Sequence, residues 1–205
     1  GDWSSDVCSS DLIYWEKIMS LINEMASSLL KGLLIIIFLL IASCGGKEPR
    51  PEPEWVYKPQ SVEISYTADV MLNEFKGSSH ALQLVIYQVD NVNKFVELSE
   101  YKDGLKKLLK AQNFDPSVQA VKKIFVDPGE SNKLVFDRAE KSQWVGIVAG
   151  YFDLAPGRAT CFFEIPHKIE KKGMVFFKKE VAVISDFKLN LMLKEHEIKG
   201  IILDE

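Results

Sequence analysis

From residue 62 onward the chain alternates between apolar and polar positions. Val62, Ile64, Tyr66, Ala68 and Val70 are apolar, and Glu63, Ser65, Thr67 and Asp69 between them are polar. A period of two is that of a strand with one buried and one wet face. Residues 82–89 (LQLVIYQV) are apolar on both faces, which predicts a strand covered from two sides. Short apolar runs at 123–126 and 133–136 flank Asp127-Pro128-Gly129-Glu130, a turn sequence. Residues 143–152 (QWVGIVAGYF) predict a central strand, with Gly146 and Gly150 where another backbone comes close. Further strands are predicted at 160–165, 174–177, 181–184 and 187–193. Residues 99–112 break this period. Tyr101, Leu105, Leu108 and Leu109 recur at helical spacing, lysines fill the opposite face, and Ser99 stands where a cap belongs. The pattern predicts a mainly β domain over residues 61–205, a two-sheet β-sandwich with a short helical insert near 99–112.

The chain before this domain reads differently. Residues 33–42 (LLIIIFLLIA) are uninterruptedly apolar, preceded by Lys31 and followed by Ser43 and Cys44. A spanning helix needs about 20 apolar residues, whereas a run of this length suits the hydrophobic region of a secretory signal. Ile41-Ala42-Ser43-Cys44 resembles a bacterial lipobox: small residues fit a narrow protease groove, and the cysteine thiolate accepts a diacylglyceryl group. Residues 25–43 are therefore expected to be a lipoprotein signal peptide, with Cys44 the acylated first residue of the mature chain. Several acyl chains on one residue hold a protein on a membrane stably. Gly45 stands where an Asp would retain an enteric lipoprotein in the inner membrane, so the outer membrane, on its periplasmic face, is the expected address. Residues 1–24 read as a non-native leader, because residues 1–12 (GDWSSDVCSSDL) resemble a translated adapter fragment; Met25 or Met19 is the expected start. Residues 45–60 (GGKEPRPEPEWVYKPQ) carry four prolines among alternating charges. Together with Cys44 they make an extended tether, on the order of 50 Å at ~3.1 Å per residue.

Charge and candidate chemistry narrow the function. Lys plus Arg number 25 and Asp plus Glu 29, for a net charge of -4; this lacks the basic excess of a nucleic-acid binder. The three cysteines, Cys8, Cys44 and Cys161, form no Cys-x-x-Cys pair, which excludes zinc fingers and thioredoxin-type sites. The three histidines, His80, His167 and His196, show no His-Glu-x-x-His spacing. No metal site and no cofactor is expected. There is no Gly-x-Ser-x-Gly, no Walker loop and no Gly-x-Gly-x-x-Gly, so no catalysis is expected either. Cys161, in an apolar strand, reads as an inert buried thiol. What remains is an anchored binding module with apolar anchors on the loops of a rigid sandwich. The competing reading is a β-sandwich lipoprotein that binds a small ligand or polysaccharide. That would need an aromatic-lined groove, for which Trp144, Tyr151 and Phe152 are few.

Three stretches in order carry a family resemblance. Residues 68–87 (ADVMLNEFKGSSHALQLVIY), 125–131 (FVDPGES) and 145–154 (VGIVAGYFDL) resemble the corresponding segments of the type VI secretion outer-membrane lipoproteins, the TssJ family. The chain departs from the family at Ala81, Val85, Phe152, Ala159 and Thr160, and its loop before Gly77 is one residue short. The resemblance implies a transthyretin-like sandwich without catalysis. It also implies binding to the periplasmic domain of TssM, the inner-membrane component of the secretion complex. In the family the loop between the first two strands makes that contact, which here implies Met71, Leu72, Asn73, Glu74, Phe75, Lys76 and Gly77. Phe75 and Leu72 are the expected apolar anchors.

Overall fold

The computed structural model describes residues 10–42, 50–173 and 179–203. Cys44, the expected lipidation residue, and the strand expected at 174–177 lie outside these. The chain divides into two units, residues 1–49 and 50–205. In the first, α1 is a 33-residue helix, Ser10–Ala42. Among the described residues no helix is long and apolar enough to cross a membrane.

The second unit is built on strands. β1 (Lys58–Ala68) buries Val62, Ile64, Tyr66 and Ala68 and turns Glu63, Ser65 and Thr67 outward, as its alternation dictates. Val70 does not continue it. The Asp69 carboxylate accepts the Met71 N–H at 2.8 Å and the Asp69 carbonyl accepts the Leu72 N–H at 3.0 Å. That Asx turn ends the strand and leaves Val70 73% exposed. β1 pairs antiparallel with β4 (Ser131–Arg138) and parallel with β9 (Phe187–Leu193), which pairs in turn with β10 (Ile198–Ile202). Phe187, Leu189, Leu191 and Leu193 of β9 are buried beside the apolar face of β1.

The second sheet runs β3 (Val118–Val126), β2 (Leu82–Val89), β5 (Trp144–Ala149), β6 (Thr160–Glu164), all antiparallel. β2 is buried on both faces, and a pair of helices explains why. The Tyr87 hydroxyl donates to the Leu108 carbonyl at 2.5 Å, and its ring lies edge-on to Phe95 and Phe114. Gly146, paired with Tyr87 across the sheet, leaves room for the Phe95 ring: a Cβ there would lie 2.8 Å from a ring carbon. A side chain, rather than the expected second backbone, makes the close approach.

The helical insert differs from the single helix expected near 99–112. It consists of α2 (Asn93–Ser99) and α3 (Lys102–Leu108), seven residues each. Ser99 ends the first helix, its hydroxyl donating to the Val96 carbonyl at 2.7 Å, and does not cap the second. Gly104 lies so close to the end of α2 that a Cβ would stand 2.1 Å from the Leu98 carbonyl oxygen. Leu105 and Leu108 are buried as their spacing predicts, while Tyr101 is 46% exposed.

Among the described residues the expected two sheets are present, four strands each, together with an antiparallel pair of β7 (His167–Lys172) and β8 (Lys179–Ile184). β7 reads HKIEKK, and its exposed charged positions give no apolar alternation by which sequence could mark it. The incoming segment at 50–57 is bound to the domain. The Arg138 guanidinium donates to the Val56 carbonyl at 3.0 Å, Lys141 N–H donates to the Trp55 carbonyl at 2.6 Å, and the Tyr57 hydroxyl donates to Asp137.

Candidate functional site

One end of the sandwich gathers exposed apolar side chains. It is formed by the β1–β2 loop at 69–81, the β5–β6 loop at 150–159, the end of β3 and the face of α3. Phe75, Phe125 and Phe152 are 44%, 63% and 53% exposed, and Val70 and Met71 lie beside them in the chain. Exposed aromatic and methionine side chains clustered on loops are the composition of a recognition surface.

Local chemistry sets the β1–β2 loop. Phe75 and Ser78 exchange backbone hydrogen bonds at 2.9 and 3.2 Å, and the two residues between them, Lys76 and Gly77, have φ of 54° and 79°. This is a tight turn of primed type, which requires positive φ at both central positions. The Glu74 carboxylate accepts the Gly77 N–H and braces it. Asn73, itself at φ 51°, ties the loop to its neighbour. Its side-chain amide donates to the Ala81 carbonyl at 3.1 Å, and its oxygen accepts the Phe152 N–H at 2.8 Å. Phe75 and Phe152 then stack, centroids 4.8 Å apart and planes 21° from parallel. His80 meets Phe152 edge-on at 4.9 Å, and Lys76 Nζ lies 5.2 Å from the Phe75 centroid. The base of the loop is held by Glu130, which accepts the Tyr66 hydroxyl at 2.5 Å and the Asp127 N–H at 2.9 Å. Those bonds, the Tyr66 one foremost, hold its carboxyl below the usual range.

The seven expected contact residues divide. Met71, Glu74, Phe75, Lys76 and Gly77 reach the surface. Leu72 does not. It is fully buried in the core and Asn73 is 4% exposed, so the expected anchor role of Leu72 is corrected to a packing role that holds the loop down. The pattern of residues does not foretell that the two loops are joined: Phe152 is the ring on which Phe75 lies. Beside it an open groove of about 590 Å³ is lined by His80, Gln83, Lys102, Lys106, Phe125 and Phe152, among others.

The remaining chemistry is modest. Glu74, Glu195 and His196 each bring one ligand atom within 4.8 Å of the others, the described group that could hold a cation. His196 Nε2 lies 3.3 Å from Glu195 and 3.8 Å from Glu74, contacts that also serve as a surface ion pair when His196 is charged. Cys161 is half-buried, and desolvation pushes its thiol up to about 12. The thiolate is the nucleophile, so iodoacetamide at pH 8 is expected to leave Cys161 unmodified in the folded domain and to alkylate it in denaturant. Rapid modification of Cys161 in the native chain, read by peptide mass so that Cys8 and Cys44 are counted apart, would contradict this.

Fold and site together define a two-sheet β-sandwich whose loops form an aromatic end. The family model described as Type VI secretion lipoprotein, VasD, EvfM, TssJ matches residues 60–192. The chain belongs to this family of type VI secretion lipoproteins, as a divergent member. Its fold is similar to that of the T6SS lipoprotein TssJ1 from Pseudomonas aeruginosa, with 16% identity, TM-score 0.52 and coverage of 73% of this chain and 98% of that one. It is similar also to Serratia marcescens Lip, described as a membrane-bound component of the type VI secretion system, at 14% identity and TM-score 0.51, covering 68% and 96%. A chain described as the T6SS protein TssM C-terminal domain from EAEC matches at 13% identity and TM-score 0.50, covering 70% and 98%. No curated protein matches by sequence.

Proposed function

We propose that this chain is an outer-membrane-anchored periplasmic lipoprotein that docks the periplasmic domain of a TssM-like inner-membrane protein and so stabilises the membrane complex of a type VI secretion system. The observation that carries the docking part is the aromatic end: Phe75 stacked on Phe152, both about half exposed, on two loops locked together by Asn73. A stacked pair held by a rigid scaffold loses little conformational freedom when a partner covers it. The anchor part rests on the lipobox at 41–44, with residues 25–43 as signal peptide and 44–60 as acylated cysteine and tether, the last part of which, from Trp55 on, is bound to the domain.

Two experiments test the two parts. Binding of the purified chain to the periplasmic domain of the TssM-type protein from the same bacterium should be direct and saturable; no association at micromolar concentrations would refute docking. For the anchor, Cys44→Ser removes the sulfur that is acylated. The variant should leave the outer-membrane fraction, either released as soluble protein or held uncleaved in the inner membrane. An outer-membrane pool equal to that of the unmodified chain would overturn the lipid anchor.

A further inference from the structure

The groove beside Phe152 differs in charge from the chain that forms it. Its lining includes Lys102 and Lys106 from α3 and no carboxylate, in a chain that from Cys44 onward carries 24 acidic and 23 basic residues. Lys106 does pair with Asp103 at 2.8 Å, but both side chains are well exposed, and such pairs are weak. Two more lysines ride on the same set of rings. Lys76 lies over Phe75, and Lys123 Nζ is 6.0 Å from the Phe125 centroid. The floor is apolar, with Phe125, Phe152, Tyr151 and Leu154. His80, at its wall, packs edge-on against Phe152. The groove between residues 51–56 and β8 shows no such bias, since glutamates and basic side chains line it together.

We infer that this groove takes an extended segment of the partner that presents a carboxylate side chain next to an apolar one. The apolar side chain lies on Phe125 and Phe152, and the carboxylate faces Lys102 and Lys106. The inference rests on the docking reading above and adds to it the chemistry of the docked segment. Complementary charge at the edge of an apolar contact steers association and fixes register, more than it adds affinity.

The test is the full chain carrying Lys102→Glu and Lys106→Glu. Both side chains are exposed, so the melting temperature should hold. Affinity for the TssM-type periplasmic domain of the same bacterium should fall roughly tenfold, mostly through a slower association rate, and its dependence on salt should flatten. Lys102→Ala with Lys106→Ala should show a smaller change of the same sign. The companion variant is Phe75→Ala with Phe152→Ala. If that variant binds weakly while the lysine reversal alters neither affinity nor salt dependence, the groove inference is overturned and the docking end stands. If neither variant weakens binding, both readings are overturned. Tighter binding by the reversed variant would mean a basic segment and would also overturn the inference.

Discussion

Phe75→Ala is expected to weaken binding to the TssM-like domain by roughly 30-fold. An aromatic buried at an interface centre commonly costs about 2 kcal/mol or more when truncated, and ~1.4 kcal/mol is a factor of ten. Phe75 has the surface to lose, being 44% exposed in the free chain. Its stack on Phe152 is the main internal contact, and an aromatic pair contributes about 0.5–1.5 kcal/mol. The melting temperature should therefore move by only a few degrees, at about 2–4 °C per kcal/mol for a domain of this size. Leu72→Ala is the contrast. Leu72 is fully buried, and emptying such a site costs about 2–5 kcal/mol through lost transfer energy and a residual cavity. That variant should melt much earlier than Phe75→Ala, and any loss of binding should follow its loss of stability. Calorimetry and an affinity measurement on both proteins decide the matter. If Phe75→Ala melted as early as Leu72→Ala and bound unchanged, the aromatic end would be a lid on the core and not a contact surface.

A second large loss of stability is expected from Gly104→Ala. Helix propensity alone favours the change, by up to about 1 kcal/mol. Packing opposes it more strongly. The new Cβ would stand 2.1 Å from the Leu98 carbonyl oxygen and 2.8 Å from its carbon, and these are backbone atoms that a rotamer change cannot clear. The helix pair must shift off the outer face of β2, where Phe95, Leu105 and Leu108 are buried. Overpacking of this kind costs about 1–3 kcal/mol, occasionally more. With a steric overlap this deep against backbone, the upper part of that range applies. The melting temperature should fall by roughly 5–10 °C. A variant that melts at or above the unmodified chain would show that α2 and α3 separate freely.

The strands most legible in the sequence were those whose faces have different solvents. Val62 to Ala68 and Phe187 to Leu193 alternate because one face meets the opposite sheet and the other meets water. Residues 82–89 read as buried on both sides, but their second covering layer could not be named from the sequence. The insert was legible as helical from Leu105 and Leu108 of α3 and Leu109 at its end, but the preceding α2, seven residues long, was not, and nothing local says that the pair lies on β2. β7 and β8 form a small sheet of their own, and β7 is too exposed to carry an apolar pattern. At the site, the β1–β2 loop was marked by its resemblance to a family, yet which of its residues face outward was not readable. Met71 and Leu72 are neighbours in one turn, and the turn's orientation is fixed by the Asn73–Phe152 bond, which joins residues 79 apart. Local sequence holds no trace of such a contact. Phe152 could be recognised as aromatic but not as the ring beneath Phe75.

The parallel pairing of β1 with β9 has a consequence for how the domain comes to exist. β1 is the first strand made, and its neighbours in the sheet are β4 and β9. Most of the domain must emerge from the ribosome before β9 is available to complete the sheet. Closing so long a loop carries an entropic cost ahead of any reward, and non-local topologies of this kind fold slowly. During synthesis the nascent chain thus has a first strand with one side open and no finished core. For a protein carried across the inner membrane as proposed here, this delay is useful, because an unfolded chain can be threaded through a narrow translocation channel and a completed sandwich cannot. With β9 as a partner of β1, the first sheet can close only once residues 187–193 are present.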